Sequence, residues 1–160
     1  TYGYDSAGNR TAQQDARGVE TLYQYDALNR PLAVDVPSAG QDLAFGYDSA
    51  PTDCPAGERF PVGRLAQMTD ASGSTRYCYD RRGNVVRKVQ SITSGPTRTV
   101  RYAYSLADRL ETLTYPSGAV VTYTRDASGR ISGIAAKPTS TAAQVTLVSA
   151  VAYQPRQFSR

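Results

Sequence analysis

At 160 residues the chain has the length of one domain. It contains no His, which removes the usual general base, the Ser-His-Asp arrangement and the commonest transition-metal ligand. The net charge of +4 comes almost wholly from Arg, and Tyr supplies 12 of the 15 aromatic residues. Tyr buries a large ring yet needs a partner for its hydroxyl, which suits a sheet wetted on at least one face.

In chain order, the first element is Tyr4-Asp5-Ser-Ala-Gly8-Asn9-Arg10, and its pattern returns as Tyr25-Asp26-Ala-Leu-Asn29-Arg30. A third copy starts at Tyr47-Asp48, is broken by an insertion at 50–62, and resumes at Gly63-Arg64-Leu65. Tyr79-Asp80-Arg-Arg-Gly83-Asn84 follows. Two degenerate copies come next, Tyr104-Ser105-Leu-Ala-Asp108-Arg109 and Arg125-Asp126-Ala-Ser-Gly129-Arg130-Ile131. A fixed self-similarity of this kind makes the chain one small unit used many times.

Each unit has finer structure. Two residues before each Tyr position stands another aromatic: Tyr2, Tyr23, Phe45, Tyr77, Tyr102 and Tyr123. Side chains two apart on a strand share a face, so each pair lays an aromatic ladder on one side of a sheet. Asp can cap backbone amides two or three residues on, and Gly supplies positive φ, so Tyr-Asp-x-x-Gly predicts a type I turn closed by a bulge. Asn29 and Asp108 stand where other copies have Gly, and both tolerate left-handed backbone. Midway between copies, Asp15-Ala-Arg-Gly18, Asp70-Ala-Ser-Gly73 and Tyr115-Pro-Ser-Gly118 predict a second turn of the same kind. The expected fold is all-β: repeated antiparallel β-hairpins forming a curved ribbon.

These residues carry a resemblance. Tyr-Asp-x-x-Gly-Asn/Arg, with its upstream aromatic, resembles the YD repeat of the Rhs-repeat family, which extends to Rhs polymorphic toxins, Tc toxin shell subunits and teneurin-like barrels. The resemblance runs from Tyr2 to about Ile131, and weakly to Tyr153. It implies a shell or barrel wall whose ribbon encloses a toxic polypeptide, in a protein secreted or delivered by a bacterial secretion system. The partners implied are the remainder of the repeat shell and the enclosed toxin. The alternative is a cell-surface or extracellular module binding carbohydrate or protein, with Tyr rings stacked on a cell-surface glycan. The wall residues singled out are Tyr4, Asp5, Gly8, Tyr25, Asp26, Tyr47, Asp48, Tyr79, Asp80, Gly83, Tyr104, Asp126 and Gly129.

The expected organisation is a repeat segment of about six hairpin units over 1–134, a polar connector over 135–146, and a further repeat or diverged tail over 147–160. The chain begins inside a repeat without an initiator Met, as an excerpt or processed fragment would. No stretch is apolar enough to span a membrane.

Catalysis is not expected. The Asp residues recur at turn positions where amide capping explains them, and no phosphate-loop or calcium-loop spacing occurs. No cofactor or metal is implied. Arg10, Arg30, Arg64, Arg87, Arg109 and Arg130 follow the turns, where stacking on Tyr and pairing with Asp account for them better than nucleic acid does. One cluster stands out: Arg76, Arg81, Arg82, Arg87 and Lys88 lie within one hairpin and are flagged for cargo or partner contact. Cys54 lies in the insertion, and Cys78 between Tyr77 and Tyr79 points away from the aromatic ladder. A disulfide between them would staple the insertion to its neighbouring strand; the preferred expectation is two unpaired thiols.

Overall fold

The computed structural model describes residues 1–37 and 42–153. Within them the chain forms thirteen strands, one short 3-10 segment and no α-helix. It divides into two compact units, 1–99 and 100–160.

The first unit holds β1 (Tyr2–Tyr4), β2 (Arg10–Gln14), β3 (Glu20–Tyr25), β4 (Pro31–Asp35), β5 (Leu43–Tyr47), β6 (Leu65–Asp70), β7 (Gly73–Tyr79) and β8 (Val85–Ile92). Each pairs antiparallel with the next. The second unit holds most of β9 (Thr97–Tyr104), then β10 (Leu110–Thr114), β11 (Val120–Arg125), β12 (Ile131–Lys137) and β13 (Val145–Val148), again antiparallel in chain order. Tyr, Val and Thr dominate these segments and Gly, Asp, Asn and Ser the joints, so strand and turn preferences agree with the hairpins.

Every Tyr-Asp hairpin has the same irregularity. Gly3 faces Ala12 but Tyr4 faces Arg10; Gln24 faces Ala33 but Tyr25 faces Pro31; Cys78 faces Arg87 but Tyr79 faces Val85. One residue on the returning strand is left without an opposite number: Thr11, Leu32 and Val86 in these cases. Such bulges bend the strand and sharpen its twist. The mid-unit hairpin from β2 to β3 keeps one register, Ala12–Leu22 to Gln14–Glu20.

A ribbon one sheet thick has little interior. In β3, Tyr23 and Tyr25 are half-buried while Gln24 between them is exposed; β5, β9 and β11 alternate in the same way. Two strands depart from this: in β7, Cys78 between the two aromatics is also buried, and in β1, Tyr2 and Tyr4 are exposed. Cys54, Ala66, Thr75, Cys78, Tyr79 and Val89 form the buried centre of the first unit, gathered where the insertion joins β6, β7 and β8.

Two boundaries differ from the sequence expectation. β12 continues through Lys137 and β13 opens at Val145, so the polar connector set at 135–146 narrows to 138–144. The further repeat or diverged tail set at 147–160 is entered by the strand Val145–Val148, and 149–153 is irregular. Residues 154–160 of the tail lie outside the described residues.

Candidate functional site: a stacked column of turns and a stapled loop

The turns are built by their aspartates. The Asp5 carboxylate accepts the amides of Ala7 at 2.9 Å and Asn9 at 2.8 Å. Asp26 accepts those of Leu28 and Arg30, and Asp80 those of Arg82 and Asn84, all at 2.9 Å. Asp126 accepts the Arg130 amide at 2.9 Å. Gly8, Gly83 and Gly129 sit at φ 85°, 89° and 78°, and Asn29 at 60°. Hydrogen bonds to the charged form hold these carboxyls below the ordinary range. The Asn9 side chain and amide do so for Asp5, and the Arg30 amide leads for Asp26. In the degenerate copy the Ser105 hydroxyl takes the same two amides, Ala107 and Arg109, at 3.2 Å, and Asp108 holds φ 56°.

The three mid-unit turns are not alike. Asp15-Gly18 and Tyr115-Gly118 have the bulged geometry, with φ 82° and 85° at glycine. Asp70 instead pairs directly with Gly73 across a two-residue turn. Gly73 has φ 147°, and a Cβ there would run into the Ser91 carbonyl of β8. Its glycine is required by the neighbouring strand, which a local turn pattern could not reveal.

The interrupted copy closes across its insertion. The Asp48 amide donates to the Arg64 carbonyl at 3.2 Å, as the Asp5 amide does to Asn9 at 2.9 Å. Here Asp48 itself turns left-handed, at φ 66°. Its carboxylate accepts the Gly63 amide at 2.6 Å, fifteen residues on.

Neighbouring copies are latched by the tyrosines. The Tyr25 hydroxyl donates to the Arg10 carbonyl at 3.0 Å, Tyr47 to Pro31 at 2.9 Å, Tyr79 to Leu65 at 2.7 Å and Tyr153 to Ile131 at 2.9 Å. Each acceptor opens, or nearly opens, the strand after the preceding turn. Arg125, which stands where other copies have Tyr, reaches the equivalent carbonyl of Leu110 at 3.1 Å with its guanidinium. The guanidinium also donates to the Gly129 carbonyl at 3.1 Å, but its buried Nε has no partner. Burial raises the Tyr47 and Tyr79 phenols above their usual range, so both remain donors at neutral pH.

Arginines close the column from the other side. The turn Arg of one copy stacks on an aromatic of the next: Arg10 on Tyr23 at 4.4 Å, Arg30 on Tyr47 at 4.3 Å, Arg64 on Tyr79 at 5.8 Å and Arg130 on Tyr153 at 4.5 Å. Arg30 also bridges Asp26 of its own turn at 2.7 Å and Asp48 of the next at 2.6 Å. Asn9 spans Asp5 and Asn29 similarly, at 2.9 and 2.7 Å. Arg64 lies over Gly83, and Arg109 over Gly129, where any Cβ would displace the guanidinium. The turn glycine therefore serves twice, for positive φ and as a seat for the preceding Arg.

Loop 50–62 changes one part of this ribbon. Cys54 and Cys78 form a disulfide, so the preference for two unpaired thiols is corrected. Both cysteines are only 1% exposed. Closing a loop of this length is worth about 3–4 kcal/mol in the chain-entropy account. The Phe60 amide donates to the Tyr79 carbonyl at 3.3 Å, and the Arg59 guanidinium ties the loop by donating to the Cys54 and Thr52 carbonyls at 2.6 and 3.1 Å.

The same loop resolves the basic cluster. Arg87 donates to both Glu58 carboxylate oxygens, at 2.7 and 2.9 Å, and Arg76 meets Asp53 at 3.1 Å. Arg81 stands over the Phe60 ring at 5.3 Å, and Arg82 pairs with Asp80 at 3.8 Å. The cluster flagged for an outside partner is thus largely engaged within the chain. Its partners Asp53 and Glu58 lie more than twenty residues away, out of reach of a local reading. Among the described residues no three Cys, Asp or Glu side chains gather as a metal cage would need.

Of the wall residues singled out, Asp5, Asp26, Asp80 and Asp126 cap turns, Gly8, Gly83 and Gly129 hold positive φ, and Tyr25, Tyr47 and Tyr79 latch copies. Tyr4, at the outer edge on β1, is 63% exposed. Tyr104 is half-buried at the end of β9, opposite Leu110.

A chain of like hairpins, most of them tied within each unit to the one before by a phenol or a guanidinium, defines a β-hairpin repeat protein. The RHS Repeat family pattern matches residues 4–41 and 61–95, leaving most of the insertion outside both matches. Two proteins of Dickeya dadantii (strain 3937), named probable deoxyribonuclease RhsA and RhsB, are each 32% identical over 136 residues. These matches cover 81% of this chain but 9% of either relative. A TcdB2–TccC3 crystal structure superposes with a TM-score of 0.59 at 13% identity, covering 95% of this chain and 10% of that one. A Photorhabdus luminescens Tc holotoxin pore gives 0.58 at 14% identity, covering 95% and 9%. At these identities the structures speak for the fold. The chain is an Rhs/YD-repeat segment.

Proposed function

We propose that this segment is a non-catalytic stretch of wall in an Rhs-type exported toxin, which encloses or displays a toxic polypeptide. The observation that carries this reading is the latch from copy to copy. The conspicuous side chains, Tyr, Asp and Arg, are spent on joining repeats. Arginines lie on the rings of Tyr23, Tyr47, Tyr79 and Tyr153, which supports a wall over a glycan-binding module needing bare rings. Repeat proteins gain stability from neighbour interfaces, so a wall of such units extends without a thick core. The partners in this reading are the rest of the repeat shell and the enclosed polypeptide. The compartment is extracellular or the delivery path of a bacterial secretion system.

The test is limited proteolysis with mass spectrometry on the segment in its native flanking sequence. A downstream polypeptide that stays protected until the repeats unfold is the expected result. A folded segment beside a fully accessible neighbour would overturn the enclosure.

A further inference from the structure

The insertion covers an anion-accepting surface with its own carboxylates. Arg76 and Arg87 lie on the β7–β8 face that also carries Cys78, since Cys78 faces Arg87 in register and Arg76 stands two residues before Cys78. The sheet itself positions Arg76, whose guanidinium donates to the Ser74 and Ser91 hydroxyls at 3.1 and 3.2 Å. Asp53 and Glu58 then occupy the outward sides of the two guanidiniums, Glu58 through paired bonds. A paired arrangement of this kind is how Arg recognises a free carboxylate. Asp53 and Glu58 flank Cys54, so one covalent bond keeps both acids at very high local concentration over the arginines. The chain has no other cysteine, so reduction leaves a single defined dithiol state.

We propose that loop 50–62 is a redox-set cover: with Cys54–Cys78 oxidised its acids fill the Arg76/Arg87 site, and on reduction the loop lifts and a carboxylate-rich peptide takes the site. Closing the bond removes two protons and two electrons from the thiols, which pass to a disulfide-bearing oxidant. Opening it takes two electrons from a dithiol reductant, which leaves as its own disulfide. Because the disulfide is buried between the loop and β7, reduction proceeds through a lifted loop, and its rate reports the lifting. The proposal concerns this loop alone and stands apart from the wall reading.

The experiment compares the full chain oxidised and after dithiothreitol, reading trypsin cleavage after Arg59 by mass spectrometry and binding of a fluorescent decaglutamate peptide by anisotropy. Reduction is expected to speed cleavage after Arg59 about tenfold or more, with cleavage after Arg10 and Arg17 unchanged, since cleavage tracks the open population. The peptide is expected to bind only the reduced chain, and not the reduced Arg76→Gln/Arg87→Gln variant. With the disulfide intact, Glu58→Gln is expected to speed its reduction several-fold. Continued protection of Arg59 after reduction overturns the proposal. So does cleavage spreading to Arg10 and Arg17, which would make the bond a staple of the whole unit. Peptide binding indifferent to the two arginines, or an oligonucleotide bound in place of the peptide, overturns the ligand assignment.

Discussion

β1–β4 and β5–β8 are built from the same unit, yet they hold together differently. Over β1–β4 no residue is fully buried, and cohesion rests on capped turns, one Tyr25 latch and stacked arginine. Over β5–β8 the 50–62 loop folds back on the face opposite the aromatics. It supplies Cys54 of the buried disulfide, the carboxylates that pair with Arg76 and Arg87, and a backbone hydrogen bond to Tyr79. The comparison teaches that repeating a hairpin multiplies edges and turns but adds little interior. Deep burial appears where the repeat is broken.

Acid should separate the two regions most widely, because it acts on every capped turn at once. Asp5, Asp15, Asp26, Asp48, Asp70, Asp80 and Asp126 all have carboxyls held below their ordinary value. A depressed folded-state value contributes stability that is present above the unfolded value of about 4 and is lost as pH falls through the folded one. Asp35 runs the other way. Its hydrogen bond with Asp42 raises it, so its contribution is present at low pH and fades as pH rises through that raised value. Amide exchange followed from pH 5 downward should show β1–β4 losing protection before the disulfide-held β5–β8. Simultaneous loss would mean the staple adds nothing to acid resistance.

Among single substitutions the turn glycines come first. Gly83→Val meets both a positive φ and the Arg64 guanidinium, whereas Gly8→Val meets positive φ with nothing within 4 Å. Gly83→Val is expected to cost about 3 kcal/mol and Gly8→Val about 1–2 kcal/mol in denaturant melts. Equal costs would show that the Arg seat has no energetic weight. Next, Tyr79→Phe should cost about 1–2 kcal/mol by stranding the Leu65 carbonyl against a buried ring, and Tyr25→Phe, where the ring is only half-buried, about half that. A larger loss at Tyr25 would reverse the comparison. The smallest effect is expected at Arg125→Tyr, which restores the usual latch and removes a guanidinium nitrogen that has no partner. It should be neutral or stabilise by up to about 1 kcal/mol, read as a shift in the melting midpoint.

The hairpin fold was legible in the sequence because its causes are local. A carboxylate two to four residues from the amides it caps, a residue tolerant of positive φ at the fourth turn position, and aromatics two apart on a strand can each be read without knowing what lies across the sheet. Arg125 in place of Tyr was visible as a departure, though not that its guanidinium would reach the same carbonyl. The second role of Gly83 and Gly129 was hidden, since a seat for the preceding copy's Arg exists only once copies stack. Gly73 was grouped with the wrong turns for the same reason, because the atom that demands glycine belongs to β8.

What the sequence alone determined is the unit: strand, capped turn, strand, with a preference for repetition and no chemistry built on His. Packing in space, in turn, sets how the basic hairpin and the insertion dispose of each other. Arg76 and Arg87 are a charged cluster in the sequence and a neutralised pair in the fold, and Cys54 and Cys78 are two thiols in the sequence and one bond in the fold. The reason is range: turn energetics act over four residues, whereas ion pairing and disulfide formation depend on distances in space that more than twenty residues of intervening chain are free to set.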